Sequence, residues 1–140
     1  MKLARIAQSQ WEVLAIVDPR GCCQIIDFLD SLEAPYRAAR DSMIHLLTKH
    51  LPVHGPPKGE PHCKPLGFGL YEFRRQPKGK KLRIIWFYGT GRVVVCSTAF
   101  VKAETTPRIE IERSRLIVRQ YWAAVEKKEI EFLSTKGWPS

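Results

Sequence analysis

The residues of this sequence best suited to chemistry are cationic, and they concentrate in its middle. Ammonium and guanidinium groups bind phosphate oxygens, and a guanidinium group can bind two of them at once. The formal charge of the whole chain is +9. A polyanion such as nucleic acid is therefore the expected class of partner. Between positions 58 and 92 the acidic residues are Glu60 and Glu72. The cationic residues there are Lys58, Lys64, Arg74, Arg75, Lys78, Lys80, Lys81, Arg83 and Arg92.

The cysteines and histidines do not form a pattern typical of a metal site or a disulfide framework. Cys22 and Cys23 are adjacent, whereas Cys63 and Cys96 stand alone, so we expect free thiols. His62 precedes Cys63, but no C-x-x-C or H-x-x-x-H set accompanies this pair. We therefore expect neither a metal ion nor an organic cofactor.

The elements that position the cations follow from apolar spacing and from turn residues. Period-two apolar runs predict strands at 11–18, 70–76, 82–88 and 92–101. Helical spacing predicts consecutive helices at 24–32 and 35–50, and a last helix that starts at Thr105 or Thr106 before Pro107 and reaches about residue 132. Proline and glycine are dense at 52–69, which predicts an exposed loop without regular structure.

The alternation along the second predicted strand indicates a polar sheet face. Tyr71 and Phe73 fall on one face, while Glu72 and Arg74 fall on the other, where we expect them to be solvated. Residues 1–140 are expected to form one α+β domain, with its core at about 11–122 and a frayed tail at 133–140. No apolar run is long enough for a membrane span, and no signal peptide is evident, so we expect a cytoplasmic protein.

Four segments give the chain a resemblance to a known superfamily of small toxins. They are FLDSL at 28–32, GLYEFR at 69–74, LRIIWFY at 82–88 and FVKAETTPRIEIERS at 100–114. Together with the order of the elements, they resemble the RelE/ParE toxins, and more closely the phage-derived HigB-like branch. The resemblance covers roughly residues 11–122. It implies a RelE-like fold: a small antiparallel sheet with two N-terminal helices after the first strand and one C-terminal helix.

The resemblance also implies an activity and a site. Toxins of the RelE type cleave messenger RNA on the ribosome by attack of a 2′-hydroxyl on the adjacent phosphate, without metal. Carried over onto this sequence, the catalytic positions are Glu72, Arg74, Arg83 and Lys102. Glu72 would be a base or, as we favour, an ion-pair partner of Arg74 or Arg83. Tyr88 is a further candidate proton carrier. The residues expected to bind RNA are Lys64, Arg75, Lys78, Lys80, Lys81 and His62.

Two departures from the family pattern leave alternatives open. Relatives often carry Lys where this chain has Glu72, and the C-terminal Tyr or His of the toxins has no clear match after Lys102, since Tyr121 falls on the last predicted helix. The chain is therefore either a ribosome-dependent endoribonuclease, or a non-catalytic phage-derived protein that binds nucleic acid or a partner. A gyrase inhibitor of the ParE type is a weaker alternative. The resemblance implies the ribosome, messenger RNA and a helix-turn-helix antitoxin as partners, with the protein a monomer or part of an antitoxin-bridged assembly.

Overall fold

The chain folds around one mixed sheet of seven strands, with helices on both faces. The structure is a computed structural model that describes residues 1–59 and 61–139. The strand order across the sheet is β3-β4-β5-β6-β2-β1-β7. The strands are β1 (Lys2–Gln8), β2 (Glu12–Val17), β3 (Cys63–Gly67), β4 (Leu70–Arg75), β5 (Leu82–Tyr88), β6 (Val93–Val101) and β7 (Glu131–Ser134). The helices are α1 (Gln24–Ser31), α2 (Arg37–His45), α3 (Leu51–His54) and α4 (Arg108–Lys127), and a π-helical turn (Leu46–His50) links α2 to α3.

Strands β3 to β6 form an antiparallel meander, and β1 and β2 form an antiparallel hairpin. The other two strand pairs of the sheet are parallel. β2 pairs with β6 in parallel, which joins the N-terminal hairpin to the meander. β7 pairs with β1 in parallel at the opposite edge from β3. The side chain of Gln24 extends the pairing of β6, because its amide group donates to the carbonyl of Ala99 and accepts from the Ala99 N–H at 2.8 and 3.0 Å.

The sheet divides the core into two layers because its side chains alternate between faces. Phe73, Ile84 and Trp86 lie on the face covered by α1, α2 and α3, where they pack with buried residues such as Leu47. Ile85, Phe87 and Val95 lie on the other face beneath α4, where Ile117 and Tyr121 cover them. A buried hydrogen bond of 2.6 Å between the hydroxyls of Ser97 and Ser114 fixes α4 against β6.

The α+β class is confirmed, but the sheet is larger than predicted, and it is mixed, whereas an antiparallel sheet was expected. β1 and β7 were not predicted, and β3 lies within the segment expected to lack regular structure. β3 forms because its backbone pairs with β4 in spite of Pro65, which edge strands tolerate. Strands β4, β5 and β6 of the meander were predicted with nearly correct bounds, and the first predicted strand, 11–18, corresponds to β2.

The helices also depart from prediction at their ends. The second helix was expected to stop before Pro52, yet the π-helical turn carries it into α3, with Pro52 near the start of that short helix. Proline is tolerated there because the first N–H groups of a helix need no intrahelical acceptor. The last helix ends at Lys127, and the left-handed residue Lys128 turns the chain into β7. The expected frayed tail is therefore partly a strand, and its last residue, Ser140, lies outside the described residues.

Among residues 1–59 and 61–139, no helix combines the length and the apolar character that crossing a bilayer requires.

Candidate functional site

Arg74 and Arg83 are direct neighbours across the β4–β5 ladder. They occupy paired positions in the register, and paired residues on adjacent strands direct their side chains to the same face. That face is the one beneath α4, near the end of the sheet where α4 begins. The predicted proximity of the two guanidinium groups is therefore confirmed. Two like charges this close repel one another, and a nearby anion is needed to offset the repulsion.

Glu72 supplies that negative charge. Its Oε1 lies 3.4 Å from Nε of Arg83 and 3.8 Å from Nε of Arg74. The side chains of Glu72 and Arg83 have no accessible surface, and that of Arg74 is 17% exposed. The favoured prediction, that Glu72 forms an ion pair with these arginines, is confirmed. The expectation of a solvated polar face is wrong at Glu72 and Arg83, because α4 and the segment that precedes it cover this part of the sheet.

Further hydrogen bonds hold the buried pair in place. Thr106 donates its hydroxyl to Oε2 of Glu72 at 2.5 Å. Arg83 donates to the side-chain oxygen of Gln76 at 2.7 Å and to the carbonyl of Leu82 at 3.0 Å. Oε2 of Glu72 thus accepts a hydrogen bond, and two of the three nitrogens of Arg83 donate to neutral oxygens, whereas Oε1 of Glu72 and Nε of Arg83 form an ion pair without a hydrogen bond among the described residues. A buried charge requires such compensation, because its loss of hydration is otherwise costly.

The last helix was expected to start at Thr105 or Thr106, but it starts after both residues. The helix begins at Arg108, Pro107 is the N-cap residue, and no side chain caps the helix. The Thr106 hydroxyl binds Glu72 instead. In the first turn of α4, Glu110 accepts a hydrogen bond from Thr98 on β6. Neither Thr106 nor Gln76 was predicted as a site residue. A threonine before proline indicates the start of a helix at least as well as it indicates a residue of a site.

Lys102, the residue directly after β6, completes the cluster. Burial lowers the pKa of its ammonium group below the usual lysine value; Glu72 opposes this change, and Arg83, Arg74 and Lys64 reinforce it. Lys64, which is exposed, pairs with Glu72 in the β3–β4 register and so shares its face of the sheet. We define the arginine site as Glu72, Arg74, Arg83, Lys102 and Lys64. Its formal charges leave an excess of cations around one buried carboxylate.

Of the other residues predicted to bind RNA, Lys81 is adjacent to Lys102, and the rest lie away from the arginine site. Arg75 and His62 are on the opposite face, where Nη1 of Arg75 lies 3.0 Å from Nδ1 of His62. Lys80 lies over the Tyr36 ring at 5.9 Å, also away from the arginine site. Lys78 occupies the exposed β4–β5 turn, and the Lys81 carbonyl accepts the Lys102 N–H at 2.8 Å. Tyr88 packs against Trp86 on the opposite face, so it does not join the arginine site.

The four cysteines are unpaired with one another, as their spacing predicted. All four cysteines are free thiols, and burial raises the pKa of Cys23, Cys63 and Cys96. A raised pKa reduces the thiolate fraction, which argues against nucleophilic roles for these three. Within the described parts of the chain, no group of three or more His, Cys, Asp and Glu side chains could hold a metal ion.

Comparison with known proteins gives one family. Residues 27–119, more than half of the 140-residue chain, match the family described as Phage derived protein Gp49-like (DUF891). No curated protein matches the sequence. The matched segment extends from α1 through most of α4 and contains every residue of the arginine site. The chain therefore belongs to the Gp49-like family of phage-derived proteins, which is associated with toxin–antitoxin systems.

Proposed function

We propose that this protein is the toxin of a type II toxin–antitoxin system and that it cleaves messenger RNA on the ribosome. The observation that carries the proposal is the arginine site, in which Arg74, Lys102 and Lys64 surround the buried Glu72–Arg83 pair. Preorganised cations stabilise the extra negative charge of a pentacovalent phosphate. The family membership and the net charge of +9 support the same substrate class.

The reaction we propose needs no external reagent. The 2′-oxygen of one nucleotide attacks the adjacent phosphorus, and the bond from phosphorus to the 5′-oxygen breaks. The 2′-hydroxyl proton passes to a base and the 5′-oxygen receives a proton, which leaves a 2′,3′-cyclic phosphate and a 5′-hydroxyl. Lys102 is the proposed proton carrier, because its lowered pKa makes proton exchange near neutral pH easier than for an ordinary lysine. Arg74 is the proposed phosphate ligand.

Glu72 and Arg83 are proposed as positioning residues. Arg83 is fully buried and bound by Gln76 and Leu82, which leaves it behind the accessible cations. Glu72 lies against Nε of both arginines, so it holds Arg74 in a defined place while Arg83 and Thr106 hold Glu72. The ribosome would align the substrate, and a helix-turn-helix antitoxin would cover the cationic surface. These partners are part of the proposal.

A second candidate is a non-catalytic protein that binds RNA or a protein partner. The complete burial of Glu72 and Arg83 favours it, because groups without accessible surface cannot contact a phosphate directly. This alternative predicts salt-dependent RNA binding without cleavage.

The experiment is induced expression in bacteria, followed by mapping of RNA ends on ribosomes programmed with one message. Wild-type protein is expected to arrest growth and to leave 2′,3′-cyclic phosphate ends. Lys102→Ala and Arg74→Ala are expected to reduce cleavage about 100-fold or more. Arg92→Ala removes an exposed cation outside the site and is the matched control.

Equal cleavage by all four proteins would contradict the site assignment. Tight, salt-dependent RNA binding by a wild-type protein that neither cleaves nor arrests growth would establish the second candidate instead.

A further inference from the structure

An aromatic pocket lies on the face of β4 and β5 opposite the arginine site. It has a volume of about 350 Å³ and is lined by aromatic rings and cationic groups, among them Trp11, His54, Lys58, Tyr71, Trp86 and Tyr88. We name it the aromatic pocket. Its volume is at the small end of the range for ligand sites, which suits one ring system better than an extended ligand.

The rings of the pocket form a connected wall. Tyr71 stacks on Trp86 with centroids 4.9 Å apart, and Tyr88 meets the edges of both rings at 5.5 and 4.8 Å. Trp11 approaches Tyr88 from the start of β2, with centroids 6.1 Å apart. Trp86 is fully buried, whereas Tyr88 is 43% exposed. Flat apolar surface is therefore open to a ligand at Tyr88, with Trp86 buried behind it.

Trp11 is held in the pocket by close contacts with the backbone around α3. The Trp11 N–H donates to the carbonyl of Pro52 at 2.9 Å, and Gly55 at the end of α3 lies directly against the indole ring. A Cβ atom at Gly55 would come within 2.6 Å of that ring. The π-helical turn, which carries the chain past Pro52 into α3, thus brings His54 at the end of α3 and the loop residue Lys58 to the lining of the pocket.

The hydroxyl of Tyr88 gives the pocket polar recognition. Burial, together with the neighbouring Tyr71, raises the pKa of Tyr88, so its hydroxyl remains a neutral donor. The indole N–H of Trp86 is buried against the Cys63 thiol and is not open to a ligand. A ligand with carbonyl oxygens or ring nitrogens would offer the Tyr88 hydroxyl an acceptor.

The rim of the pocket carries groups that can be positively charged. Lys58 and His54 line it, and His54 stacks on His50 with ring centroids 4.9 Å apart. His50 in turn is within the electrostatic influence of His62 and Arg75. Aromatic surface flanked by cations attracts a ligand that joins a planar ring to an anionic group, and it disfavours an ammonium ligand by repulsion between like charges.

We propose that the aromatic pocket binds an unpaired nucleobase, with Tyr88 and Tyr71 in contact with the ring and Lys58 near the adjoining phosphate. The proposal rests on the proposed function only in its choice of RNA as the natural source of the base. Bases stacked on aromatic rings beside a cationic groove are the usual means of binding single-stranded nucleic acid. Because β3 is the sheet edge beside β4, an RNA strand that passes this edge can contact both faces.

The test uses the purified full chain and two probes, adenosine 5′-monophosphate and a short oligoadenylate, followed through the fluorescence of the protein's tryptophans. Tyr88→Leu is expected to weaken binding of both probes by about 5-fold to about 100-fold, the range for loss of one stacked base. Lys58→Ala is a second variant at an exposed loop position and is expected to weaken both probes and to reduce the salt dependence.

Phe68→Leu is the matched control, because Phe68 is an exposed aromatic residue that lies under Arg115 of α4 and away from the pocket. It is expected to bind both probes as wild type does. An abasic oligomer of the same length keeps the phosphates and removes the rings. The abasic oligomer is expected to bind more weakly than the oligoadenylate, by about the factor that Tyr88→Leu removes.

The outcomes separate this inference from the proposed function. Mononucleotide binding that depends on Tyr88, in a protein that neither cleaves nor binds RNA, supports the pocket and contradicts the RNA toxin. RNA binding that is indifferent to Tyr88→Leu, Lys58→Ala and loss of the bases overturns the pocket and leaves the toxin proposal standing. Binding of an uncharged proline-rich peptide in place of either nucleotide probe also overturns the nucleobase assignment.

Discussion

Arg83 contacts Glu72 across the β4–β5 ladder with 3.4 Å between Nε and Oε1, and neither side chain is accessible to solvent. A pair in this setting is costly to break, because the remaining partner keeps its charge without hydration. Its compensating contacts come from β5, from the turn before it and from the segment before α4. The pair therefore joins three elements at the centre of the candidate site.

We expect Arg83→Ala to reduce the free energy of unfolding by about 3–5 kcal/mol, because it leaves Glu72 buried without its main partner. Arg92→Ala removes the same charge at an exposed position and is expected to change stability little. Urea unfolding followed by circular dichroism measures both. Equal transition midpoints would show that the pair is unimportant for folding. Replacing both partners, with Glu72→Gln and Arg83→Met, is expected to recover part of the loss.

Gly55→Ala is expected to destabilise the protein and to shift its tryptophan fluorescence. The glycine has φ of +75°, and a Cβ atom there would lie 2.6 Å from the indole of Trp11. Gly59 has a similar φ of +76°, but a Cβ atom at Gly59 would have no neighbour within 4 Å, so Gly59→Ala isolates the backbone contribution. A spectrum and a midpoint that match those of Gly59→Ala would mean that the Trp11 ring moves aside without cost.

Acidification is expected to destabilise the fold in part through His50. Burial lowers the pKa of His50 below 6.5, and positive charge at His54 and Arg75 adds to the effect. The unfolded chain then binds this proton at a higher pH than the folded chain does. Stability is therefore full above pH 6.5 and falls as the pH drops towards the folded pKa, below which the penalty is complete.

The measurement is urea unfolding at about pH 7.5 and about pH 5. His50→Gln is expected to lose less stability between these conditions than wild type does. Lys49→Gln, which removes an exposed cation of the π-helical turn that does not contribute to the lowered pKa of His50, is the control and should retain the wild-type pH dependence. The mechanism is incorrect if the two variants respond to pH identically.

A chain that ends at Lys128 is expected to be less stable and to self-associate. It lacks β7, which pairs with β1 from Lys2 to Arg5, and it loses the contact between the Met1 amino group and the Glu129 carbonyl at 2.7 Å. An uncovered strand edge offers N–H and C=O groups to another molecule. Light scattering and thermal unfolding compare it with a chain that ends at Trp138, which keeps β7; indistinguishable behaviour would refute the expectation.

The part of the fold that could be predicted from sequence is the part that local signals determine. β5 was predicted with its observed bounds because an apolar run lies between two clusters of turn residues. β1 was not predicted, although it has seven residues and pairs with the neighbouring β2. β3 and β7 were not predicted, because β3 lies in a segment rich in proline and glycine and β7 is short and pairs with β1, which is distant in sequence. Edge strands such as β3 and β7 depend on pairing more than on their own composition.

The prediction of the arginine site was limited in the same way. The register of Arg74 with Arg83 follows from a tight turn between two recognisable strands, so their proximity could be inferred. Burial could not, because it depends on how α4 and the Thr106 segment cover the sheet. The aromatic pocket was missed because Trp11, Tyr71 and Tyr88 come from three separate parts of the chain, and alternation alone predicts packed rings at such positions.

The parallel pairing of β1 with β7 has a consequence for the order of events during synthesis. β1 is the first strand to leave the ribosome, and β7 is the last of the described strands to do so. While translation proceeds from the N-terminus, the residues of the arginine site can assemble from the contiguous segment 63–102, whereas the outer edge of β1 stays unpaired. The cations of the site are thus all synthesised before β7 can pair with β1.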